Sequence, residues 1–383
     1  MAFSIYVHIP FCAARCPYCD FNITVTQRRP EARYVEALRA ELRSRWRAGP
    51  WRGEPVRSVF FGGGTPSLIA PARIGEILEE ARRLAGNAFA PREITLEANP
   101  EGLEAAALKI WRRAGVDRIS LGAQSFQPRH LDFLGRAHRA KDIEAAVRRA
   151  RRAGFENLSL DLIFGLPGQT REELDDDLTR ALALSPDHLS AYNLTMEPRT
   201  RHYREWKRGG FALPGEAAQA AMFRRIGAWL SRAGLPRYEI SNFARRGFES
   251  VHNLHTWARG SALGIGAGAH SALVNAAGGT RWWNLRDHRR YVARALAGES
   301  CEEGRETLTP EDARREWVFL RLRLVRGFGT AEFEDTFNTE FEAAFPGVRD
   351  RLRAARLVRD APGRVALTAR GRLLSNEAFL GFF

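Results

Sequence analysis

Short apolar runs alternate with amphipathic stretches over the first half of the chain, from Phe3 to about Thr195. The apolar runs are rich in β-branched and aromatic residues and predict strands: SIYVHI, VRSVFFG, EITLEAN, RISLGAQS, NLSLDLIFG and HLSAYNLT. The stretches between them, such as YVEALRAELRSRW and IGEILEEARRLA, carry apolar residues near a 3.6-residue period and predict helices. Six such β/α units predict parallel strands with right-handed crossovers, in a partial barrel or a doubly wound sheet.

The pattern changes after the sixth unit. A helical stretch over 216–234 is followed by YEISNF and by a segment dense in Gly, His and Trp over 252–284, which we expect to be an irregular lid. After Thr309 helical patterns return, and LVRDAPGRVALTARGRLLS then predicts a hairpin that closes a winged-helix-like unit. We therefore divide the chain into a core over 1–235, a linker and lid segment over 236–300 and a small, mainly helical domain over 301–383.

The charge balance is strongly basic, with 59 Lys and Arg against 45 Asp and Glu and a net charge of +14. Such a balance favours anionic partners, including nucleic acid and lipid headgroups. The arginines are scattered along predicted helix faces and form no basic tail, so we expect a solvated surface and no nucleic-acid partner. A peripheral contact with a membrane surface stays open. No apolar run is long enough for a membrane span, and the N-terminus lacks the features of a signal peptide.

Three of the four cysteines, Cys12, Cys16 and Cys19, lie within eight residues of one another, and Cys301 is far away. This distribution is not a disulfide framework and predicts a cytoplasmic protein with metal or redox chemistry at the loop. Iron–sulfur clusters usually take four thiolates, so three leave one iron open for a substrate or cofactor. The alternative is a Cys3His zinc site that uses His8 or another histidine.

Several predicted strands end in glycine or in polar residues, where parallel α/β folds place ligand-binding groups. These residues are Gly62, Glu97, Gln124 and Asp161. Gly62 opens the run GGGTP, whose missing side chains would let a ligand approach the backbone closely. The run has neither the P-loop ending nor the spacing of a dinucleotide fold, so a simple tight turn explains it equally well.

CAARCPYC, from Cys12 to Cys19, resembles the signature of the radical S-adenosylmethionine (SAM) superfamily. The flanking YVHIPFC and CPYCDFN resemble the subgroup that contains oxygen-independent coproporphyrinogen III oxidase and a group of haem chaperones. The resemblance runs from Tyr6 to about Asn284 and is weaker in the C-terminal domain. It implies a partial (β/α)6 TIM-like barrel in which the three cysteines hold a [4Fe-4S] cluster. It also implies that the amino and carboxylate groups of SAM chelate the fourth iron.

The resemblance further implies a SAM pocket built from residues at or near the predicted strand ends. They are Gly63, Gly64 and Thr65 of the GGTP motif, Glu97 in LEANP, Gln124 in LGAQSF, Arg136 in LGRAH and Asp161 in DLIFGLPGQT, with Tyr6 and the backbone at Tyr18 near the cluster. A zwitterionic sulfonium ligand needs carboxylates for its cationic and hydroxyl groups and an arginine for its carboxylate. For any one of these polar residues, a structural ion pair or helix cap is the alternative.

Two further features separate the members of this subgroup. The oxidases carry CxxxCxxCxC, whereas this chain has Phe21 at the position of the last cysteine. The segment HNLHTW resembles the HNxxYW stretch of the haem chaperones, with Thr256 in place of the tyrosine. By this resemblance His252 ligates haem iron and Trp257 stacks on the macrocycle. The alternative is that His252 caps or hydrogen-bonds a turn.

The resemblance therefore implies a haem chaperone of the radical SAM type that binds haem, a [4Fe-4S] cluster and SAM and passes haem to an acceptor protein. It also implies an electron donor for the cluster, since the family reaction begins with one-electron reduction of SAM. The alternative is a true radical SAM enzyme, either a coproporphyrinogen III oxidase or a SAM-dependent C-methyltransferase. Phe21 speaks against the oxidase.

Overall fold

The computed structural model describes residues 2–26 and 29–383. Its strands are β1 Phe3–Ile9, β2 Phe11–Cys12, β3 Thr24–Val25, β4 Val56–Gly63, β5 Ile94–Ala98, β6 Arg118–Gln124, β7 Asn157–Phe164, β8 His188–Asn193, β9 Asn242–Ala244, β10 Ser261–Ile265, β11 His270–Asn275, β12 Gly278–Asn284, β13 Glu302–Leu308, β14 Phe328–Gly329, β15 Val358–Ala361 and β16 Arg364–Leu367.

Helices fill most of the connections. They are α1 Glu31–Ala48, α2 Pro71–Ala85, α3 Ala105–Ala114, α4 Pro128–Phe133, α5 Ala140–Arg152, α6 Arg171–Ala183, α7 Arg201–Lys207, α8 Glu216–Arg232, α9 Val251–Trp257, α10 His288–Leu296, α11 Pro310–Leu322, α12 Thr330–Phe337, α13 Phe341–Ala344, α14 Val348–Ala354, α15 Ala369–Leu373 and α16 Ser375–Leu380, with 3-10 turns at Pro66–Leu68 and Gly86–Ala88. Among the described residues, none of these helices has both the length and the apolarity needed to cross a membrane.

A large, mostly parallel sheet organises the molecule. Within the described residues it has eleven strands in the order β13-β12-β11-β10-β1-β4-β5-β6-β7-β8-β9. The pairs from β10 through β1 and β4 to β8 are parallel, and the strands beyond them on both edges are antiparallel. The predicted β/α rhythm is confirmed, since the six predicted strands are β1 and β4 to β8.

The helices cover the sheet because each has one apolar face. Leu38 of α1, Leu78 of α2 and Leu108 of α3 are fully buried in one continuous core. Local signals set the helix ends: at the start of α6 the Thr170 hydroxyl accepts from the Glu173 N–H, and the Glu173 carboxylate accepts from the Thr170 N–H. The helices thereby pack against the sheet, and loops connect the ends of its strands to them.

The expectation of an irregular lid over 252–284 is wrong. This segment forms α9 and the three strands β10, β11 and β12, and β10 pairs in parallel with β1. Its glycines allow neighbouring strands to pack closely, and they do not form an irregular loop. A Cβ on Gly264 would lie 2.1 Å from the carbonyl oxygen of His270 on β11. Glycine inside a strand often marks such a close approach.

The C-terminal residues form a second core around Trp317, Phe333 and Phe341, with a three-stranded sheet in the order β14-β16-β15. The predicted hairpin is present as β15 and β16. An ion pair joins this unit to the residues just before β10 of the large sheet. Oε2 of Glu316 on α11 lies 3.0 Å from Nε of Arg259. The domain boundaries at 235 and 300 stay a prediction.

Candidate cluster and cofactor site

The cysteine loop follows the carboxyl end of β1. Cys12 is buried with its Sγ 3.6 Å from the Thr65 hydroxyl, whereas Cys16 and Cys19 are partly exposed. The N–H of Cys19 donates to the carbonyl of Cys16 at 3.1 Å, which closes the turn containing Tyr18. Burial raises the pKa of the Cys12 thiol to about 11, and the neighbouring cysteines add to the rise. Positive charge from a bound metal would favour the thiolate form of Cys12.

His8 does not serve as a fourth ligand beside these cysteines. Its Nε2 lies 2.8 Å from the carbonyl oxygen of Asn22, and its Nδ1 lies 3.2 Å from the hydroxyl of Tyr6. Over the described parts of the chain, no three Cys, His, Asp or Glu side chains are grouped to hold a single metal ion. A [4Fe-4S] cluster places its irons at separate corners, so it accepts thiolates that do not converge on one point.

The glycine run after β4 packs against the cysteine loop. Gly64 and Thr65 donate their N–H groups to the carbonyls of Ile9 and Phe11, at 2.8 and 2.9 Å. Gly63 has a φ of +112°, and a Cβ there would lie 2.5 Å from the ring of His8. Gly63 and Gly64 thus pack so closely on the neighbouring chain that a side chain would not fit, whereas the hydroxyl of Thr65 reaches Cys12. Their expected contact with SAM stays a prediction.

Two carboxylates face each other across the sheet near the glycine run. Glu97, at the end of β5, accepts the Gly63 N–H at 3.3 Å. Asp161 on β7 accepts from the Ser120 hydroxyl at 3.0 Å, and the nearby hydroxyls of Ser159 and Ser190 oppose the rise that burial causes in its pKa. Burial and then the charge of Asp161 raise the pKa of Glu97 to about 8. Asp161 is well supplied with donors, whereas Glu97 has one weak donor and fits a cationic ligand.

Arg136 lies beside the cysteine loop. Its Nη1 lies 3.6 Å from the Cys16 sulfur, and its Nη2 donates to the Asn99 side chain at 2.6 Å. Its Nε is buried without a hydrogen-bond partner among the described residues, as expected of a donor that awaits an acceptor. Burial raises the pKa of Tyr18, which lies close to both Arg136 and Cys16.

Gln124 ends β6 in a left-handed conformation with a φ of +65°. The pairing of β6 with β7 is irregular between Leu121 and Gln124, so the backbone leaves the regular register there. Non-glycine residues hold such a conformation when the surroundings fix it, and these positions cluster at binding sites. Gln124 therefore joins Tyr6, the glycine run, both carboxylates and Arg136 on the cysteine side of the sheet.

His252 lies next to one member of this group, with its ring centroid 6.4 Å from that of Tyr6. Its Nδ1 lies 3.0 Å from the hydroxyl of Ser58, which in turn lies 2.8 Å from that of Ser4. Both serines are near the amino ends of their strands, whereas the cysteine loop follows the carboxyl ends. The ring of Phe60 packs beside both, with its centroid 4.8 Å from that of His252 and 6.1 Å from that of Tyr6.

Helix α9 is fixed at its start by a buried carboxylate. Glu93 accepts the N–H groups of Val251 and His252 at 2.9 and 3.1 Å. Burial lowers the pKa of His252 to about 3, so its imidazole is neutral, and Nε2 has no hydrogen-bond partner in the described parts of the chain. A neutral imidazole with one nitrogen held and the other available suits a metal ligand.

The rest of the HNLHTW segment is mainly structural. His255 has its Nε2 2.9 Å from the carbonyl of Ser261, and the Thr256 hydroxyl donates to the carbonyl of His252 at 3.2 Å. The guanidinium of Arg323 lies 4.2 Å from the ring centroid of Trp257, so one indole face is already covered. Sequence reasoning missed Ser58, Glu93 and Arg323, since their partners are distant in the chain.

Comparisons with known proteins agree with the fold. A family model described as the radical SAM superfamily matches residues 6–181, and one for the HemN C-terminal domain matches 308–374. The haem chaperone HemW of Bacillus subtilis is 37% identical, covering 99% of this chain and 98% of that protein. HemW of Haemophilus influenzae is also 37% identical, over 98% and 96%.

Among solved structures, coproporphyrinogen III oxidase (HemN) from Escherichia coli, a radical SAM enzyme, matches with a TM-score of 0.84 and 26% identity, covering 99% of this chain and 89% of that one. The mostly parallel sheet and the three-cysteine loop thus define a radical SAM protein, a class that uses a [4Fe-4S] cluster and SAM. Within that class, the chain belongs to the HemW family.

Proposed function

We propose that this chain is a haem chaperone of the radical SAM type, which holds haem and passes it to an acceptor protein. The observation that carries the proposal is the similarity to HemW proteins over 99% of the chain and 98% of the relative. Phe21, at the position where the oxidase pattern has a further cysteine, supports it. Its side chain is 67% exposed and supplies no ligand.

The cofactor site follows from the cysteine side of the sheet. Cys12, Cys16 and Cys19 would hold the [4Fe-4S] cluster, which supplies one electron to SAM when both are bound. The carboxylates of Glu97 and Asp161 would attract the cationic groups of SAM. Arg136 would donate its unpaired Nε–H to an anionic group of SAM. Tyr6 and Gln124 would complete the wall of the pocket.

Haem would bind through Nε2 of His252. If the hydroxyl of Ser58 accepts a hydrogen bond from Nδ1–H, the lone pair at Nε2 is free for iron. Glu93 fixes the first turn of α9, and Phe60 packs on the imidazole, so the ring is held before haem arrives. The His252 ring lies 6.4 Å from that of Tyr6 between centroids, so haem would bind next to the proposed SAM pocket.

The proposal includes a haem-acceptor protein and an electron donor for the cluster as partners. It also includes a cytoplasmic location. The three cysteines of the loop are free thiols, and thiols that serve as metal ligands are typical of a reducing compartment.

A haem titration under anaerobic conditions tests the proposal. We expect the purified protein to bind haem with a Soret band typical of histidine ligation, and His252→Ala to weaken binding at least tenfold. His255→Asn is the matched control and should retain wild-type affinity, since His255 only bonds the carbonyl of Ser261. Formation of protoporphyrinogen from coproporphyrinogen III, SAM and a reductant would overturn the chaperone function.

A further inference from the structure

A cavity of about 480 Å³ lies on the outer side of the cysteine loop. Cys16 and Cys19 form part of its wall, whereas Cys12 is buried behind them beside Thr65. Four arginines also border the cavity, against two carboxylates: Arg15, Arg199, Arg201 and Arg204 against Asp132 and Glu205. The outer thiols of the cluster loop therefore face a basic surface.

Helix α7 carries much of this charge and is attached directly to the cysteine loop. The N–H of His202 donates to the carbonyl of Pro17 at 3.0 Å, and the His202 ring stacks on Phe133 at 4.1 Å. Arg199, just before the helix, pairs with Asp20 of the loop at 3.3 Å. The basic surface thus keeps a fixed position relative to the thiols.

One arginine of α7 is not neutralised locally. Arg201 pairs with Glu205 at 2.8 Å, but Arg204 is exposed and has no carboxylate partner within the described residues. Lys207 continues the same helix face at a spacing of three residues. Phe21 is exposed on the same loop, two residues after Cys19, although it does not line the cavity. An exposed apolar side chain near charged ones is typical of small, transient protein interfaces.

We propose that this basic surface docks the protein that reduces the cluster, an acidic protein carrying a one-electron donor. One electron leaves the donor, which is oxidised, and enters the cluster, which is reduced. Electron transfer slows steeply with distance, so the donor must approach where the thiolates are nearest the exterior, at Cys16 and Cys19. Complementary charge would steer the encounter. The inference rests on the cluster and is independent of the haem site.

Reversal of one charge tests the docking surface. Reduced flavodoxin, an acidic flavoprotein, serves as the probe, and dithionite serves as a small reductant that needs no docking. With the reconstituted protein at low salt, Arg204→Glu should slow cluster bleaching by flavodoxin about tenfold, and Arg204→Gln should slow it less. Bleaching by dithionite should not change. The wild-type rate with flavodoxin should fall as salt is added, and the variants should converge toward it at high salt.

The control variant is Arg113→Glu, which makes the same charge change on α3, an exposed helix away from the cysteine loop. An equal loss in this control, or no loss in Arg204→Glu, would overturn the proposal. A loss of haem affinity in Arg204→Glu with an unchanged flavodoxin rate would assign the cavity to haem carboxylates and overturn it as well. Flavodoxin binding to the cluster-free chain, measured by calorimetry, should show the same order of variants. That measurement separates failure of docking from failure of cluster assembly.

Discussion

Removal of the carboxylate charge of Glu97 tests the electrostatics of the cofactor site. The pKa of this group is raised from 4.5 to about 8, first by burial and then by Asp161. Between these two pKa values the unfolded chain has lost a proton that the folded chain keeps, so folding stability falls as the pH rises, by about 1.4 kcal/mol per pH unit. From about pH 6 to about pH 8 the free energy of unfolding should therefore fall by up to about 3 kcal/mol.

Part of the Glu97 side chain remains accessible, so solvent screening reduces the effect. We expect the free energy of unfolding to fall by about 2 kcal/mol over this interval. Glu97→Gln cannot ionise and should lose less stability than the wild type over that interval. Urea denaturation of the cluster-free protein at both pH values measures the difference, and all other titrating groups cancel between the two proteins. Equal pH dependence in wild type and variant would refute the reasoning.

At about pH 8 and above, where wild-type Glu97 ionises, the same substitution should weaken SAM binding to the cluster-bound protein at least tenfold, because the neutral amide no longer complements a cationic ligand. In the wild type, SAM affinity should rise from about pH 6 to about pH 8 as Glu97 ionises, and this rise should be absent in the variant. Equilibrium dialysis with labelled SAM measures both effects. An unchanged affinity in Glu97→Gln would show that the ligand does not approach this carboxylate.

Three further substitutions have defined outcomes. Cys16→Ser should prevent formation of the visible absorption of the cluster after anaerobic reconstitution, whereas Cys301→Ser, which changes a thiol away from the loop, should leave it intact. Arg136→Ala should lower the free energy of unfolding by about 2 kcal/mol, because it strands buried acceptors, and should weaken SAM binding. Glu316→Ala should cost about 3 kcal/mol in calorimetry by leaving Arg259, 6% exposed, without its partner, and a wild-type melting profile would contradict this.

The local parts of the site could be predicted from the sequence. The three cysteines are close in the chain, and a spacing of this kind places their sulfurs on one loop whatever the rest of the fold does. The glycine run was predictable for a similar reason, since it directly follows a clear strand. Its backbone was expected to be open to a ligand, whereas the N–H groups of Gly64 and Thr65 donate to the carbonyls of Ile9 and Phe11, just before and at the start of the cysteine loop.

The remaining parts depend on contacts between distant segments. Ser58 meets His252 across 194 residues, and Glu93 meets His252 across 159, so no local pattern indicates either pair. The segment 252–284 was misjudged because glycine is unfavourable in isolated strands. In the folded chain, Gly264 and Gly279 allow neighbouring backbones to approach more closely than a Cβ would permit.

The proposed haem ligand and the proposed SAM pocket are neighbours on the same strands, because the ring centroid of His252 lies 6.4 Å from that of Tyr6. If both proposals hold, haem at His252 and SAM beside Tyr6 would influence each other directly. A hydrogen-bonded chain also runs from Ser159 through His188, Tyr238 and Ser250 to Glu93, which holds the first turn of α9. A rearrangement along β7 on SAM binding would therefore reach the helix that carries His252 through the interior of the protein.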